Sequence, residues 1–204
     1  MSEAAAPSVR NRKPPGVRRE QILAVATEMF GNAGFRGVSL ADIAARVGIS
    51  QPGLIHHFHT KEELLIAALE RRDKESSGHI EDAFRDLSAV DALLSLCRHN
   101  MEYPESIRLY AVESAESLEP GHPAREFFLS RYTRVRKAVA ERARRDQQQG
   151  RLPAEMDPWT FAAGVIALMD GLQVQWLLDP SFDMSAVLAL YLEQFRVTEG
   201  AASE

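Results

Sequence analysis

The stretch SLADIAARVGISQPGLIHHFHT, residues 39–60, holds two helix signals separated by a glycine. Leu40, Ile43, Ala44 and Val47 fall at i, i+3, i+4 and i+7, one apolar face of a helix. Ser39 with Asp42 after it is a capping-box-like start, Asp standing where Glu or Gln is usual. Gly48 suits the left-handed C-cap, which a residue without Cβ enters freely. Ile49 plugs the turn, Ser50 is the next N-cap, and Pro52 lies in a first turn, where a missing N–H costs nothing. The second helix buries Leu54 and Phe58. A helix, a glycine turn and a short Ser-capped helix form the pattern of a helix-turn-helix DNA reader.

Working outward, Val17 to Asn32 reads as a helix with Ile22, Ala26, Met29 and Phe30 as its core stripe. Gly34 and Gly37 frame a loop, and Thr60-Lys61-Glu62-Glu63 is a second capping box that opens a helix to about Lys74. Residues 17–75 thus read as a small all-α unit. Residues 1–16, rich in Ala, Ser and Pro, read as a disordered basic arm. Between Ala4 and Arg19 the chain carries Arg10, Arg12, Lys13, Arg18 and Arg19 and no acid. That is either an electrostatic footprint for phosphates or a solvated tail.

The combination resembles the N-terminal domain of the TetR (tetracycline-repressor-like) regulators. The resemblance spans roughly residues 17–70 and rests on Ala26 and Phe30, on Gly34, Phe35 and Gly37, on Ile43, Ala44, Gly48, Ile49 and Ser50, on His57 and Phe58, and on Lys61 to Leu64. Many members carry two tyrosines before the His-Phe pair; here Ile55 and His56 stand there. His56 retains a donor for phosphate, and Ile55 does not.

The remainder, residues 76–204, reads as helices throughout, so the fold class is all-α. The resemblance implies a helix-turn-helix DNA-binding domain followed by a helical ligand-binding and dimerisation domain. Helices are expected from Val90 to Tyr103, from Pro104 to Leu118, from Pro123 to Gln149, from Trp159 to Leu178 behind the Asp157-Pro158 cap, and from Met184 to Val197. The last two are apolar over most of their circumference and need cover on two sides. Either they are the buried centre of a monomer, or a second copy of the chain covers them. Two recognition helices must reach successive major grooves, roughly 34 Å apart, which favours the homodimer. The resemblance implies the same: a dimer through helices at about 158–178 and 184–197. Ala162, Ala163 and Gly164 would allow close approach of a neighbouring backbone.

The chain has 204 residues, 45% hydrophobic and 26% charged, enough for a real core. A single cysteine, Cys97, excludes an internal disulfide and supplies no metal-ligand set. No apolar run approaches the ~18 residues of a membrane span, and the polar, basic N-terminus is unlike a secretory signal, so the expected place is the cytoplasm. Net charge is −5, yet residues 1–75 hold 11 basic and 9 acidic residues (+2) against 13 and 20 (−7) in residues 76–204. Phosphoryl-transfer, metalloprotease and nucleophile-elbow motifs are missing, and His56 and His57 point about 100° apart on a helix, a poor metal pair. Neither an enzyme nor a cofactor or metal is therefore expected.

Candidate DNA-contacting residues are Arg18, Ser39, Ser50, Gln51, Pro52, Gly53, His56, His57 and Lys61. Gln51 can pair with adenine N6 and N7. Gly53 would let backbone near the duplex. Ser39, His56 and Lys61 can donate to phosphates. His57 is equally a candidate for core packing. By resemblance the helical domain would hold a small-molecule pocket, with Met101, Tyr110, Glu113, Phe128, Tyr132, Met169, Gln173 and Trp176 as candidate lining or plain core. Glu113 and Asp170 are acids among apolar neighbours. Each needs a partner such as Arg131, a ligand or water. A helical interaction protein is the rival reading.

Overall fold

A computed structural model describes residues 15–197. The basic arm expected at 1–16 falls outside these, apart from its last two residues. The described residues form nine α-helices and no strand: α1 Pro15–Ala33, α2 Leu40–Val47, α3 Gln51–Ile55, α4 Lys61–Asp86, α5 Ala89–Met101, α6 Pro104–Glu116, α7 Arg125–Gln148, α8 Pro158–Leu178 and α9 Met184–Glu193.

Two apolar cores organise them. The first joins α1 to α4 around Ile22, Phe30, Ile43, Leu54, Phe58 and Leu65 and extends to Leu109 and Tyr110 of α6 and Phe128 of α7. The second joins α5, α7, α8 and α9 around Leu93, Val139, Phe161, Val165, Leu172 and Leu188. The small helical unit is therefore seated on α6 and the start of α7. Gly31 makes that seat possible, since a Cβ there would meet the Leu109 backbone nitrogen at 3.0 Å.

The sequence pattern predicts an end to α4 near Lys74, whereas the helix runs on to Asp86. Ser76, Ser77 and Gly78 are poor helix formers and suggest a break. Yet Arg72, Ser76, Ile80 and Phe84 fall on one face of the continued helix and wall a cavity. Residue 75 thus lies inside a rigid rod shared by both cores.

A buried carboxylate fixes the start of α5. Asp146 is fully buried on α7, accepts from the Ala89 N–H at 2.5 Å and pairs with Arg142 at 3.0 Å and Arg151 at 2.5 Å. It neutralises an orphan helix donor and two guanidinium groups together.

By length and composition α8 is the one helix among the described residues long and apolar enough to cross a membrane, with a mean hydropathy of 1.4. That departs from the expectation of no span-length apolar stretch: Asp170, Gln173 and Gln175 interrupt the run, but the stretch as a whole stays apolar enough. In the fold, Phe161, Val165, Met169, Leu172 and Trp176 form its buried stripe. Its opposite face is open and made of small or apolar residues: Ala167, Gly171, Val174 and Leu178 are exposed, and Val187 and Leu190 of α9 are exposed likewise. Ala162, expected at a close approach to a neighbour, is instead fully buried in its own domain. Gly164 is occupied from within, a Cβ there lying 3.3 Å from Tyr191 Oη.

Candidate nucleic-acid interface and effector cavity

The helix-turn-helix is built by local side-chain caps. Ser39 accepts from the Asp42 N–H at 3.1 Å, and the Asp42 carboxylate accepts from the Ser39 N–H at 3.2 Å, a complete capping box. Gly48 takes the left-handed conformation (φ 75°) and ends α2. The break is only Gly48, Ile49 and Ser50. Ser50 then accepts from the Gly53 N–H at 3.2 Å, and Thr60 accepts from the Glu63 N–H at 3.0 Å to open α4.

These bonds change the part several predicted residues play. Ser39 also donates its hydroxyl proton to Asp42 at 2.5 Å, so both its hydrogen-bonding roles are taken within the cap. Gly53 has an internal reason to lack a side chain, for a Cβ would sit 3.2 Å from Ser50 Oγ. Lys61 is not the free phosphate donor expected of it. Its ammonium donates to the Phe35 and Val38 carbonyls, each at 2.9 Å, and rests 4.1 Å from the Phe35 ring centroid. It staples the loop before α2 to the start of α4.

What stays free is a compact set. Gln51, Pro52, Ile55 and His56 are exposed on α3 and its end. Half-buried His57 lies edge-to-face with His56, ring centroids 5.6 Å apart. Burial first, then the charges of His56, Arg18 and Arg19, hold the His57 ring below its usual pKa. Arg18 reaches Gln21 only at 3.5 Å. Arg19, counted in the basic arm but not among the candidate DNA contacts, lays its guanidinium 4.9 Å from the Phe58 ring centroid. Its signal was available: a cation beside Arg18 at the start of a helix whose core meets Phe58. Pro52, Gln51 and two histidines beside two arginines make a surface able to meet phosphates and a base edge together.

The second site is a partly open cavity of about 340 Å³ walled by α4 to α8. Of the eight predicted lining residues it gathers Tyr110, Phe128, Tyr132, Met169 and Gln173. Three stand elsewhere. Trp176 packs in the second core, and Met101 lies against that core at the end of α5. Glu113 faces away from the cavity toward the loop of the N-terminal unit, beside Glu116 and His122. Tyr110 and Glu113 are three residues apart, about 60° around α6, so they occupy adjoining strips of the helix, Tyr110 at the cavity wall and Glu113 at the seam.

Polar groups of the cavity are mostly paired across long sequence separations. Tyr132 donates to Asp170 at 2.8 Å. Burial pushes the Asp170 carboxyl above its ordinary range, against the pull of Tyr132 and Arg131. Arg131 does not reach Asp170 as its partner; it pairs with Asp73 at 3.0 Å and stacks over the Tyr110 ring, 4.6 Å from the centroid. Arg134 joins the same carboxylate. Arg72 donates to Asn100 at 2.5 Å, leaving its second terminal nitrogen buried without a partner. Arg72 and Asp73 escape the sequence reading because they sit where α4 was expected to stop.

Two family models match the chain, one in each half. Residues 22–68 match the family model "Bacterial regulatory proteins, tetR family", and residues 121–196 match "BetI-type transcriptional repressor, C-terminal". The HTH-type transcriptional activator FasR of Mycolicibacterium smegmatis is 32% identical over 100 residues, 45% of this chain and 46% of that protein, so the match spans under half of its length. The HTH-type transcriptional regulator TtgR of Pseudomonas putida is 27% identical over 184 residues, 84% of this chain and 85% of the relative. Among solved structures, a transcriptional regulator of Saccharomonospora viridis in complex with choline superposes with a TM-score of 0.75 at 25% identity, covering 90% of this chain and all of that one. A SmeT–triclosan complex has a TM-score of 0.74 at 21% identity, covering 92% and 98%.

Proposed function

Because the chain belongs to the TetR family of bacterial transcriptional regulators, we propose that it is a repressor that binds a palindromic operator as a homodimer and changes its grip on DNA when a small molecule enters the α4–α8 cavity. The family places it among regulators of transcription, with a DNA-binding N-terminal domain and a ligand-binding helical domain, and not among enzymes. Such a protein works where the chromosome is, in the cytoplasm.

The observation that carries the reading is the exposed recognition surface. Gln51 and Pro52 point outward from a helix whose caps are satisfied internally, with His56, His57, Arg18 and Arg19 beside it. Gln51 reads a base, and the arginines and His56 hold phosphates. Support for repression comes from the C-terminal family description. Support for a homodimer comes from the open face of α8 and α9. Leu178 and Leu190 are 82% and 75% exposed there, next to Ala167 and Gly171, which let a partner helix approach. A Leu190→Glu variant stays folded and sediments as a monomer if that face is the dimer contact; an unchanged dimer removes it.

The cavity suits a mainly apolar molecule with one or two hydrogen-bonding groups. Its ring faces are Tyr110, Phe128 and Tyr132, and two of its acids are already engaged, Asp170 with Tyr132 and Asp73 with Arg131 and Arg134. A ligand shifts the regulator only by favouring one arrangement of the two reading heads. Since α4 is continuous from the reading unit to the cavity wall, it is the element that would transmit the shift.

The test is selection of duplexes from a random pool by the intact protein at near-physiological salt. Enrichment of a palindrome with half-sites about one helical turn apart is expected. A folded protein that enriches no sequence at any salt refutes the reading.

A further inference from the structure

We propose that Glu113, Glu116 and His122 form a binding site for one divalent transition-metal ion, of zinc-like ligand preference, at the seam between the DNA-reading unit and the helical domain. One ligand atom from each residue lies within 4.8 Å of the others. His122 Nε2 stands 3.6 Å from Glu113 Oε2 and 3.6 Å from Glu116 Oε2. Those separations are too long for hydrogen bonds. They are close to the edges of a metal tetrahedron, about 3.3–3.5 Å for bonds of about 2.0–2.2 Å to nitrogen and oxygen.

Three of the polar atoms aimed into this space have no protein partner. Glu113 is fully buried, and both of its carboxylate oxygens and His122 Nε2 are unsatisfied. Two carboxylates set together without a cation are costly. The nearest side-chain cations are engaged elsewhere, Arg36 with Glu119 at 2.6 Å and Lys61 with two loop carbonyls. Glu116 keeps 34% of its side chain exposed, which gives an ion an entrance and a water a fourth coordination position. Three ligands including a nitrogen suit zinc better than magnesium or calcium, which take six or more oxygens or keep most of their water.

The seam gives the site its consequence. The Phe35 N–H donates to Glu116 Oε2 at 3.1 Å, the Phe35 ring meets the His122 ring edge-on at 5.5 Å, and a Cβ on Gly34 would overlap the Glu116 carboxylate. On the other side the Ala124 N–H reaches His122 Nδ1 at 3.3 Å. A metal on Nε2 moves the ring proton to Nδ1, so this long contact must give way and the α6–α7 turn must shift. Loading therefore pulls on the loop before α2 and on the turn before α7 together.

The test uses full-length protein stripped with a chelator, then dialysed against Zn²⁺ with excess Mg²⁺ present, and read by metal content and thermal unfolding. Wild type is expected to take up one zinc per chain and to gain about 5–10 °C in Tm at a hundredfold excess over Kd. Glu113→Gln, near-isosteric and one charge lighter, is expected to fold and to lose both responses; His122→Phe is expected to lose them too. A His56→Ala, His57→Ala, His59→Ala triple variant is expected to keep them, which separates this site from surface histidines. No uptake by wild type overturns the site. So does full uptake by Glu113→Gln, and so does a Glu113→Gln protein more stable than a wild type that ignores zinc, since a proton would then be what the carboxylates hold. None of these readouts depends on DNA binding.

Discussion

The two halves of the molecule are held by polar bonds of different reach. In the reading unit the decisive bonds span three residues: Ser39 to Asp42, Ser50 to Gly53, Thr60 to Glu63. In the helical domain they cross the chain. Arg131 meets Asp73 at a separation of 58 residues, Tyr132 meets Asp170 at 38, and the Ala89 N–H meets Asp146 at 57. Local caps fix a small constellation whatever surrounds it, which suits a head that must present the same face to DNA. Long-range pairs hold a cavity whose walls come from five helices.

The comparison breaks most visibly at Asp146. Asp146→Ala strands Arg142 and Arg151 and an N–H at the start of α5, and should cost about 3–5 kcal/mol in denaturant unfolding. A loss below about 1 kcal/mol would mean that those cations find water, and that the long-range pairs are no stronger than the caps. Lys61→Met tests a long-range polar staple of the reading unit. Two carbonyl bonds and a ring contact should be worth about 1–2 kcal/mol of stability, with the salt slope of DNA binding unchanged. A flatter slope at full stability would return Lys61 to the phosphates. Ser39→Ala should cost about 1 kcal/mol, the usual value of an N-cap.

A smaller effect distinguishes the cavity acid. Burial raises the Asp170 pKa in the fold, so its ionised form opposes folding above that raised value, and the penalty disappears below its ordinary range near 3.8. Asp170→Asn, which keeps an acceptor for Tyr132, should therefore gain up to about 1 kcal/mol at neutral pH, a gain that closes as pH falls through the acid range. A gain that grows toward low pH would reverse the sign of that burial effect. Gln51→Ala should leave stability within about 0.5 kcal/mol. It should lose about 1–3 kcal/mol of discrimination at one base position of the selected operator.

Legibility followed the same divide. Ser39, Gly48, Ser50 and Thr60 act within four residues of their targets, so their caps could be read directly and the structure reproduces them. Five of the eight candidates also line the cavity, three aromatics, a methionine and a glutamine. Arg72 and Asp73 were not. Their helix was expected to end there, and only packing against α5 and α7 keeps Ser76, Ser77 and Gly78 helical. The Glu113, Glu116 and His122 cluster was invisible as a unit. Glu113 and Glu116 are one turn apart, but the chain must reverse through Gly121, with φ 87°, before His122 faces them.

By itself the sequence determined the helical class, the helix-turn-helix and its caps, because periodicity and capping act over a few residues. Tertiary structure alone decided that α4 runs on into the cavity wall, that Lys61 binds carbonyls instead of standing free, that Glu113 turns from the cavity to the seam, and that α8 leaves one face open. Each of those depends on which helix lies alongside, and a contact between residues dozens of positions apart leaves no local signature.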